Sequence, residues 1–146
     1  MWDLKRLLLA VLCLVAPLQV TIAQSNPSGK IDSELVEAVF LEICRLNIQQ
    51  PETVIRQAIL ETGWMRAPFL MKRHNLFGFR KTTYMVFDDW KDSVAYYKAW
   101  QDKNYRAGEH KDYSAFLRSI RYAKEGYTNH LSKIRWERSC PDKVPD

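Results

Sequence analysis

Apolar residues recur at intervals of three and four positions along most of the chain, the spacing that places side chains on one face of an α-helix. Residue types that commonly begin or end helices stand at the borders of these stretches, with Asp, Ser or Thr at the starts and Gly at the ends. The first predicted helix runs from Asp32 or Ser33 to Leu46, and the second runs from Pro51 to Thr62 and stops at Gly63. The third runs from Trp90 to about Tyr105 and is capped by Asp88 or Asp89. The fourth is capped by Asp112 and runs from Tyr113 to a break at Gly126, and the last runs from a cap at Thr128 through Ile134. Residues 67–74 form at most a short additional helix.

One segment, residues 79–87, has a different composition. It contains Thr, Tyr, Val and Phe, which are common in strands, and it follows a tight turn at residues 75–78. Its length allows no more than two short strands. The pattern therefore predicts a mainly α fold with one small β-hairpin.

The first 23 residues form a separate unit. Met1–Arg6 forms a net positive start, and an apolar run follows from Leu7 to about Val20. Small residues, Thr21 and Ala23, then occupy the −3 and −1 positions before Gln24. This layout is typical of a secretory signal peptide cleaved after Ala23. A membrane anchor is the alternative, but Pro17 interrupts a run that is already shorter than the ~20 apolar residues of a membrane span. We expect an exported protein, periplasmic, extracellular or in the cell envelope, with no stable membrane insertion after cleavage.

The remainder is predicted to be one domain, residues 31–140, preceded by a polar linker at 24–30 and followed by an irregular tail at 141–146. The 146 residues carry a formal net charge of +5, and a hydrophobic content of 47% excludes a disordered chain. An exported protein without a nucleic-acid-binding motif is not expected to bind nucleic acid. For a positively charged chain in that location, the expected partner is an anionic polymer of the cell envelope. We expect a monomer.

Two cysteines remain outside the leader, Cys44 and Cys140. An exported protein permits a disulfide between them, which would join the first helix to the tail. The alternative is two unpaired thiols, with Cys44 buried on a helix face. Spacing in the sequence does not decide between these possibilities, because a disulfide depends on three-dimensional geometry.

The remaining reactive side chains indicate neither a metal site nor a cofactor. His74, His110 and His130 are isolated, and none of them has a partner at the spacing of metal ligands. No Ser or Cys stands in an arrangement typical of a catalytic nucleophile. We therefore expect no metal and no cofactor.

Glu61 is the candidate catalytic residue. It lies on the rim of the apolar face of the second helix, in the last turn before Gly63. The partial negative charge of a helix C-terminus and apolar neighbours such as Trp64 and Phe69 both disfavour an ionised carboxylate. These effects raise the pKa of Glu61, as a general acid at neutral pH requires. The alternative is an ordinary solvated glutamate.

Four motifs in order resemble those of a known family. Residues 57–64 (QAILETGW), followed by residues 75–78 (NLFG), closely resemble the glucosaminidase family of peptidoglycan hydrolases, glycoside hydrolase family 73. Residues 87–97 (FDDWKDSVAYY) are similar to a later aromatic motif of that family, and Tyr122-Ala123 with Tyr127 is similar to its closing helices. The resemblance covers roughly residues 31 to 134.

The resemblance implies a lysozyme-like helical domain with a small β lobe beside the cleft. It also implies cleavage of the β-1,4 bond after N-acetylglucosamine in the peptidoglycan glycan strand, with Glu61 protonating the leaving oxygen. The predicted substrate-binding residues are Trp64, Asn75, Phe77, Gly78, Tyr84 and Tyr122. For Trp64, Phe77 and Tyr122 the alternative role is packing, and for Gly78 it is backbone conformation.

The chain departs from the family pattern at the second carboxylate that most glycosidases use. Residues 79–87 contain no acid, and the nearest candidates, Asp88 and Asp89, are better explained as helix caps. Three possibilities follow: hydrolysis by Glu61 assisted by the substrate's acetamido group, a lytic transglycosylase that uses Glu61 alone, or a non-catalytic glycan-binding domain. Met65 also stands where the family has a small residue, which narrows the predicted site.

Overall fold

A computed structural model describes residues 31–144 of the chain. The predicted signal peptide at 1–23 and linker at 24–30 lie outside the described residues and stay predictions. The described part contains six helices: α1 (Ser33–Arg45), α2 (Pro51–Thr62), α3 (Pro68–Met71), α4 (Trp90–Asn104), α5 (Tyr113–Ser119) and α6 (Tyr127–Lys133). The mainly α class is confirmed. None of these helices is both long and apolar enough to cross a membrane.

Helix α2 lies at the centre of the fold, where α1, α3 and α6 pack against it. Its start at Pro51 and its end at a left-handed Gly63 are as predicted. The core is made by the apolar faces of α1, α2, α4 and α5, and its fully buried members include Val39, Phe40, Ile43, Val54, Ile55, Ile59, Val94, Tyr97, Phe116 and Leu117. Burial of these faces fixes which side of α2 faces outward, and therefore where its last turn points.

Three aspartates cap helices, as the sequence predicts. Asp32 accepts from the backbone N–H of Leu35, and Asp112 accepts from that of Ala115. Asp89 begins α4 as part of a capping box with Asp92. Each cap satisfies backbone donors that the first turn of a helix leaves unpaired.

The predicted bounds of the last two helices are wrong. Helix α5 ends at Ser119 instead of continuing to Gly126, because Arg121 adopts a left-handed conformation (φ 50°) and the N–H of Tyr122 bonds back to the Leu117 carbonyl. Helix α6 begins at Tyr127 with left-handed Gly126 before it, so Thr128 lies inside the helix and does not cap it.

The predicted β-hairpin is not confirmed. Within the described residues, segment 79–87 contains a single antiparallel bridge between Arg80 and Tyr84 and forms no strand. The Phe79 carbonyl accepts from the N–H of Met85 at 2.9 Å and from the buried Asn75 amide at 2.8 Å, and this amide also donates to the Met85 carbonyl at 3.0 Å. Residues 79–87 therefore form a loop whose two arms are linked by the Asn75 side chain.

The C-terminal segment crosses α1 and α2. Cys44 and Cys140 form a disulfide with a Cα–Cα distance of 5.5 Å, so the structure decides the question that the sequence leaves open. The Arg56 guanidinium on α2 donates to the carbonyls of Ile134 (3.1 Å) and Trp136 (2.8 Å). The covalent link and these hydrogen bonds hold the segment across the two central helices.

Candidate active site

Glu61 lies in the last turn of α2, directly against the turn formed by residues 75–78. A Cβ atom added to Gly78 would lie 3.0 Å from Oε2 of Glu61 and 3.6 Å from its carboxyl carbon. Gly78 also adopts a left-handed conformation, with φ +65°. Only glycine meets both requirements without strain, so the backbone of this turn forms one wall of the pocket that holds the carboxyl group.

Asn75 and Phe77 hold this turn in place from inside the protein. The Asn75 amide donates to two carbonyls and its oxygen accepts from the N–H of Phe79 at 2.9 Å. The Phe77 ring is 2% exposed and packs 4.5 Å from the Tyr97 ring, centroid to centroid. Asn75 and Phe77, which were both predicted to bind substrate, therefore lie beneath the surface, where they position Gly78.

Burial raises the pKa of Glu61, and the nearby Tyr127 hydroxyl acts in the opposite direction. The rise is in the direction expected from the sequence, and it keeps part of the Glu61 population protonated at a higher pH than a solvated glutamate. A carboxylic acid in this state is able to donate a proton to a bound substrate.

Burial and the Tyr127 hydroxyl account for the shift in the pKa of Glu61, and no acidic side chain of residues 31–144 contributes to it. Asp89 accepts from the N–H of Lys91 at 2.8 Å in the α4 cap, and Asp88 is exposed. The structure therefore gives Asp89 a structural role and brings neither aspartate into contact with Glu61.

The chain after Glu61 has an unusual backbone. Gly63, Trp64 and Met65 are all left-handed, with φ of 55°, 62° and 58°. The Thr62 hydroxyl stabilises this turn by accepting from the Met65 N–H (2.9 Å) and donating to the Ala58 carbonyl (2.6 Å). Such strain in non-glycine residues is concentrated at functional sites. The half-buried Trp64 lies on this turn, whereas Met65 is buried in the core.

An exposed aromatic pair lies on α3 and the following loop. Phe69 and Tyr84 are 50% and 39% exposed, and their rings meet edge to face at 5.1 Å. The Arg73 guanidinium stacks on the Phe69 ring at 3.8 Å, and that of Arg80 lies 5.7 Å from the Tyr84 ring. Tyr84 is one of the predicted substrate-binding residues, whereas Phe69 was expected beside Glu61, and its pairing with Tyr84 was not predicted from the sequence.

Tyr127, the first residue of α6, faces Glu61 and the Gln57 amide. Its hydroxyl is buried and forms no well-aligned hydrogen bond, and the same is true of the neighbouring Tyr122 hydroxyl. The Tyr122 ring lies 5.7 Å from the Tyr127 ring and 5.4 Å from that of Trp100. Tyr127 belongs to one of the family-like motifs but is not among the residues predicted for the site, because its proximity to Glu61 depends on how α6 packs on α2.

A cavity of about 360 Å³ adjoins this region, with Tyr127 in its wall. Its lining also includes Arg118, Arg121 and Lys124, against one acidic residue, Glu125. None of the three cations forms an ion pair within residues 31–144. The cavity therefore presents an excess of positive charge.

The family model described as glucosaminidase, mannosyl-glycoprotein endo-beta-N-acetylglucosaminidase, matches residues 38–137, which include Glu61, Gly78 and Tyr127. No curated protein and no solved structure gave a significant match. Within residues 31–144, no group of three His, Cys, Asp or Glu side chains is arranged to hold a metal ion.

Proposed function

Because the chain belongs to the glucosaminidase family, we propose that it is an endo-β-N-acetylglucosaminidase that hydrolyses β-1,4 bonds in the glycan strand of peptidoglycan, with Glu61 as the general acid. The observation that carries this proposal is the environment of Glu61, a carboxyl group enclosed by the Gly78 backbone with its pKa raised by burial. Only one acid of this kind adjoins the turn in the described residues.

A single acid suffices if the substrate assists, a known exception to the two-carboxylate rule. Glu61 gives its proton to the glycosidic oxygen as the bond from that oxygen to the sugar carbon breaks, while the carbonyl oxygen of the acetamido group bonds to the same carbon. A water molecule then attacks this carbon and gives a proton to the Glu61 carboxylate. The acetamido group is released and Glu61 is again protonated.

The charge around the site supports peptidoglycan over a neutral glycan. Stem peptides give peptidoglycan several carboxylates, and Arg118, Arg121 and Lys124 line the cavity behind Tyr127 without acidic partners. Exposed cations of this kind increase the encounter rate with an anionic polymer. Export to the periplasm or cell envelope is supported by the Cys44–Cys140 disulfide, since such bonds persist in oxidising compartments.

A lytic transglycosylase is the second candidate, favoured because no acidic side chain in residues 31–144 contributes to the pKa of Glu61. There an internal hydroxyl of the sugar replaces water, and Glu61 alone acts as acid and then base. The product ends in an anhydro-sugar instead of a reducing end.

Digestion of purified peptidoglycan by the purified protein, with the products identified by mass spectrometry, tests the proposal. We expect reducing N-acetylglucosamine ends from the wild type and from Glu52→Gln, a charge-matched control in the first turn of α2, and none from Glu61→Gln. Anhydro-sugar ends would select the transglycosylase. Binding without any product would overturn the enzymatic proposal in favour of a glycan-binding domain.

A further inference from the structure

A chain of buried polar side chains leads from the far side of α4 to the Glu61 site. The Gln101 amide is fixed by the backbone of Gln49, accepting from its N–H at 2.8 Å and donating to its carbonyl at 2.9 Å. Gln101 also donates to the Tyr113 hydroxyl at 3.0 Å, which lies 2.7 Å from the Tyr97 hydroxyl. Tyr97 in turn donates to Oε1 of Gln57 at 2.6 Å. The four side chains of this chain are fully or almost fully buried, and Gln49 contributes only its backbone.

The direction of each hydrogen bond follows from the donors available. An amide oxygen only accepts, so the single proton of Tyr97 points to Oε1 of Gln57. The oxygen of Tyr97 must then accept from Tyr113, and the oxygen of Tyr113 accepts from the Gln101 amide. Because Oε1 of Gln57 takes the proton of Tyr97, and the Gln49 backbone fixes the Gln101 nitrogen as the donor to Tyr113, the whole chain has one direction, toward Gln57.

The far end of this chain is unsatisfied. With its oxygen occupied by Tyr97, Gln57 presents Nε2 on its other side, and this buried nitrogen has no hydrogen-bond partner. The Tyr127 hydroxyl faces it and is likewise buried without a partner. Because Nε2 only donates, the Tyr127 oxygen is left to accept, and its own proton is left for Glu61.

We infer that Gln57 and Tyr97 are positioning residues, which turn the Tyr127 hydroxyl so that it donates to the Glu61 carboxylate. The bond stabilises the charged form of Glu61, the form present after the proton has passed to the leaving oxygen. It thereby opposes the effect of burial and sets the pH at which Glu61 exchanges its proton. The catalytic role of Glu61 rests on the proposed function, whereas the control of its protonation is measurable without activity.

The direct test is the pKa of Glu61, followed by NMR through the ¹³C shift of its carboxyl carbon. In Tyr97→Phe the Gln57 amide loses the group that fixes its orientation and is free to present its oxygen to Tyr127, whose proton then leaves Glu61. We expect the pKa of Glu61 to rise by about one unit, the size of one lost hydrogen bond to a carboxylate. Tyr127→Phe, which removes the donating hydroxyl itself, is expected to give the same rise.

The titratable groups that face Glu61 from the described residues are the phenols Tyr127 and Tyr122. Tyr105→Phe is the matched control. The Tyr105 ring is buried and lies 4.8 Å from the Tyr113 ring, and its hydroxyl takes no part in the hydrogen-bonded chain. It is expected to leave the pKa of Glu61 unchanged. The double variant of Tyr97 and Tyr127 is expected to show no more than the single shift.

If the protein hydrolyses peptidoglycan, the basic limb of its kcat/KM profile moves to higher pH by the same amount in Tyr97→Phe and not in Tyr105→Phe. A pKa of Glu61 that does not move in Tyr97→Phe, or shifts that add in the double variant, would overturn the inference. A protein that shows the pKa shifts but releases no product would instead overturn the proposed function and leave the positioning chain standing. Thermal unfolding of each variant verifies that it is folded during the titration.

Discussion

Glu61 and Gly78 meet so closely that a methyl group on Gly78 would lie 3.0 Å from Oε2 of the glutamate. The contact joins the end of α2 to the turn that precedes the loop of residues 79–87. Asn75 and Phe77 support the turn from inside the protein, and Gly78 is the residue of the turn whose added Cβ would meet the carboxyl group. The turn therefore sets the position of the carboxyl group through its backbone.

Gly78→Ala is expected to displace the Glu61 carboxyl group and to reduce kcat/KM on peptidoglycan by a factor of about 100, the loss typical of a misplaced reacting group. The left-handed backbone adds a loss of stability of about 1 kcal/mol. Gly108→Ala is the matched control, because Gly108 also has a positive φ, of 90°, but no atom lies within 4 Å of its added Cβ. Both variants lose stability and only Gly78→Ala loses activity. Equal activity in the two would contradict this prediction.

Glu61→Gln is expected to stabilise the protein at neutral pH. Burial raises the pKa of Glu61 in the folded protein, so between its unfolded and folded pKa values the folded state binds more protons and stability falls as pH increases. Glutamine does not ionise, and each unit of raised pKa is worth about 1.4 kcal/mol. We expect urea unfolding to show a gain for Glu61→Gln at about pH 8 and none at about pH 4, below the ordinary pKa of glutamate. A gain that is the same at both pH values would rule out this explanation.

Replacing Arg118, Arg121 and Lys124 together by Gln is expected to raise KM on peptidoglycan about tenfold, because each exposed cation contributes up to about 1 kcal/mol to binding an anion. The effect should disappear on glycan strands from which an amidase has removed the stem peptides. It should also weaken with added salt.

The charge-matched control for this prediction replaces three exposed lysines outside the cavity lining by Gln: Lys103, Lys111 and Lys143. This variant has the same net charge and should keep its KM on intact peptidoglycan. An equal loss in both variants would assign the effect to net charge instead of to the cavity.

Removing the disulfide by Cys44→Ala with Cys140→Ala is expected to lower the free energy of unfolding by about 2–5 kcal/mol, since the bond closes a loop of most of the domain. Activity well below the unfolding temperature should be retained. Urea unfolding with and without a reducing agent measures the loss, and the reducing agent should lower the stability of the wild type only. A wild type that is insensitive to reduction would contradict the prediction.

Phe69→Ala and Tyr84→Ala are expected to raise KM several-fold while stability changes by less than about 0.5 kcal/mol, because both rings are substantially exposed. Val86→Ala removes an exposed apolar side chain from the same loop and is the control. Isothermal titration with a soluble fragment of the glycan measures the affinity. If all three variants bind as the wild type does, the aromatic pair is not part of the substrate surface.

Local patterns predicted most of the helices. The starts of α1, α2, α4 and α5 and the stop of α2 at Gly63 depend on neighbouring residues, and they are as expected. The end of α5 was wrong because Arg121, whose residue type rarely adopts a left-handed conformation, does so there. The hairpin was expected from strand-forming residue types, but the described residues 79–87 form a single antiparallel bridge, between Arg80 and Tyr84.

The sequence by itself determined the helical class, the family resemblance and Glu61 as the candidate acid, because helical periodicity, caps and short motifs are properties of neighbouring residues. Only the tertiary structure decided that Gly78 and Tyr127 adjoin Glu61, that Cys44 pairs with Cys140, and that Asn75 and Phe77 are buried supports. Each of these facts depends on which faces of α2 and its neighbours are buried together, and packing of that kind joins residues far apart in the chain.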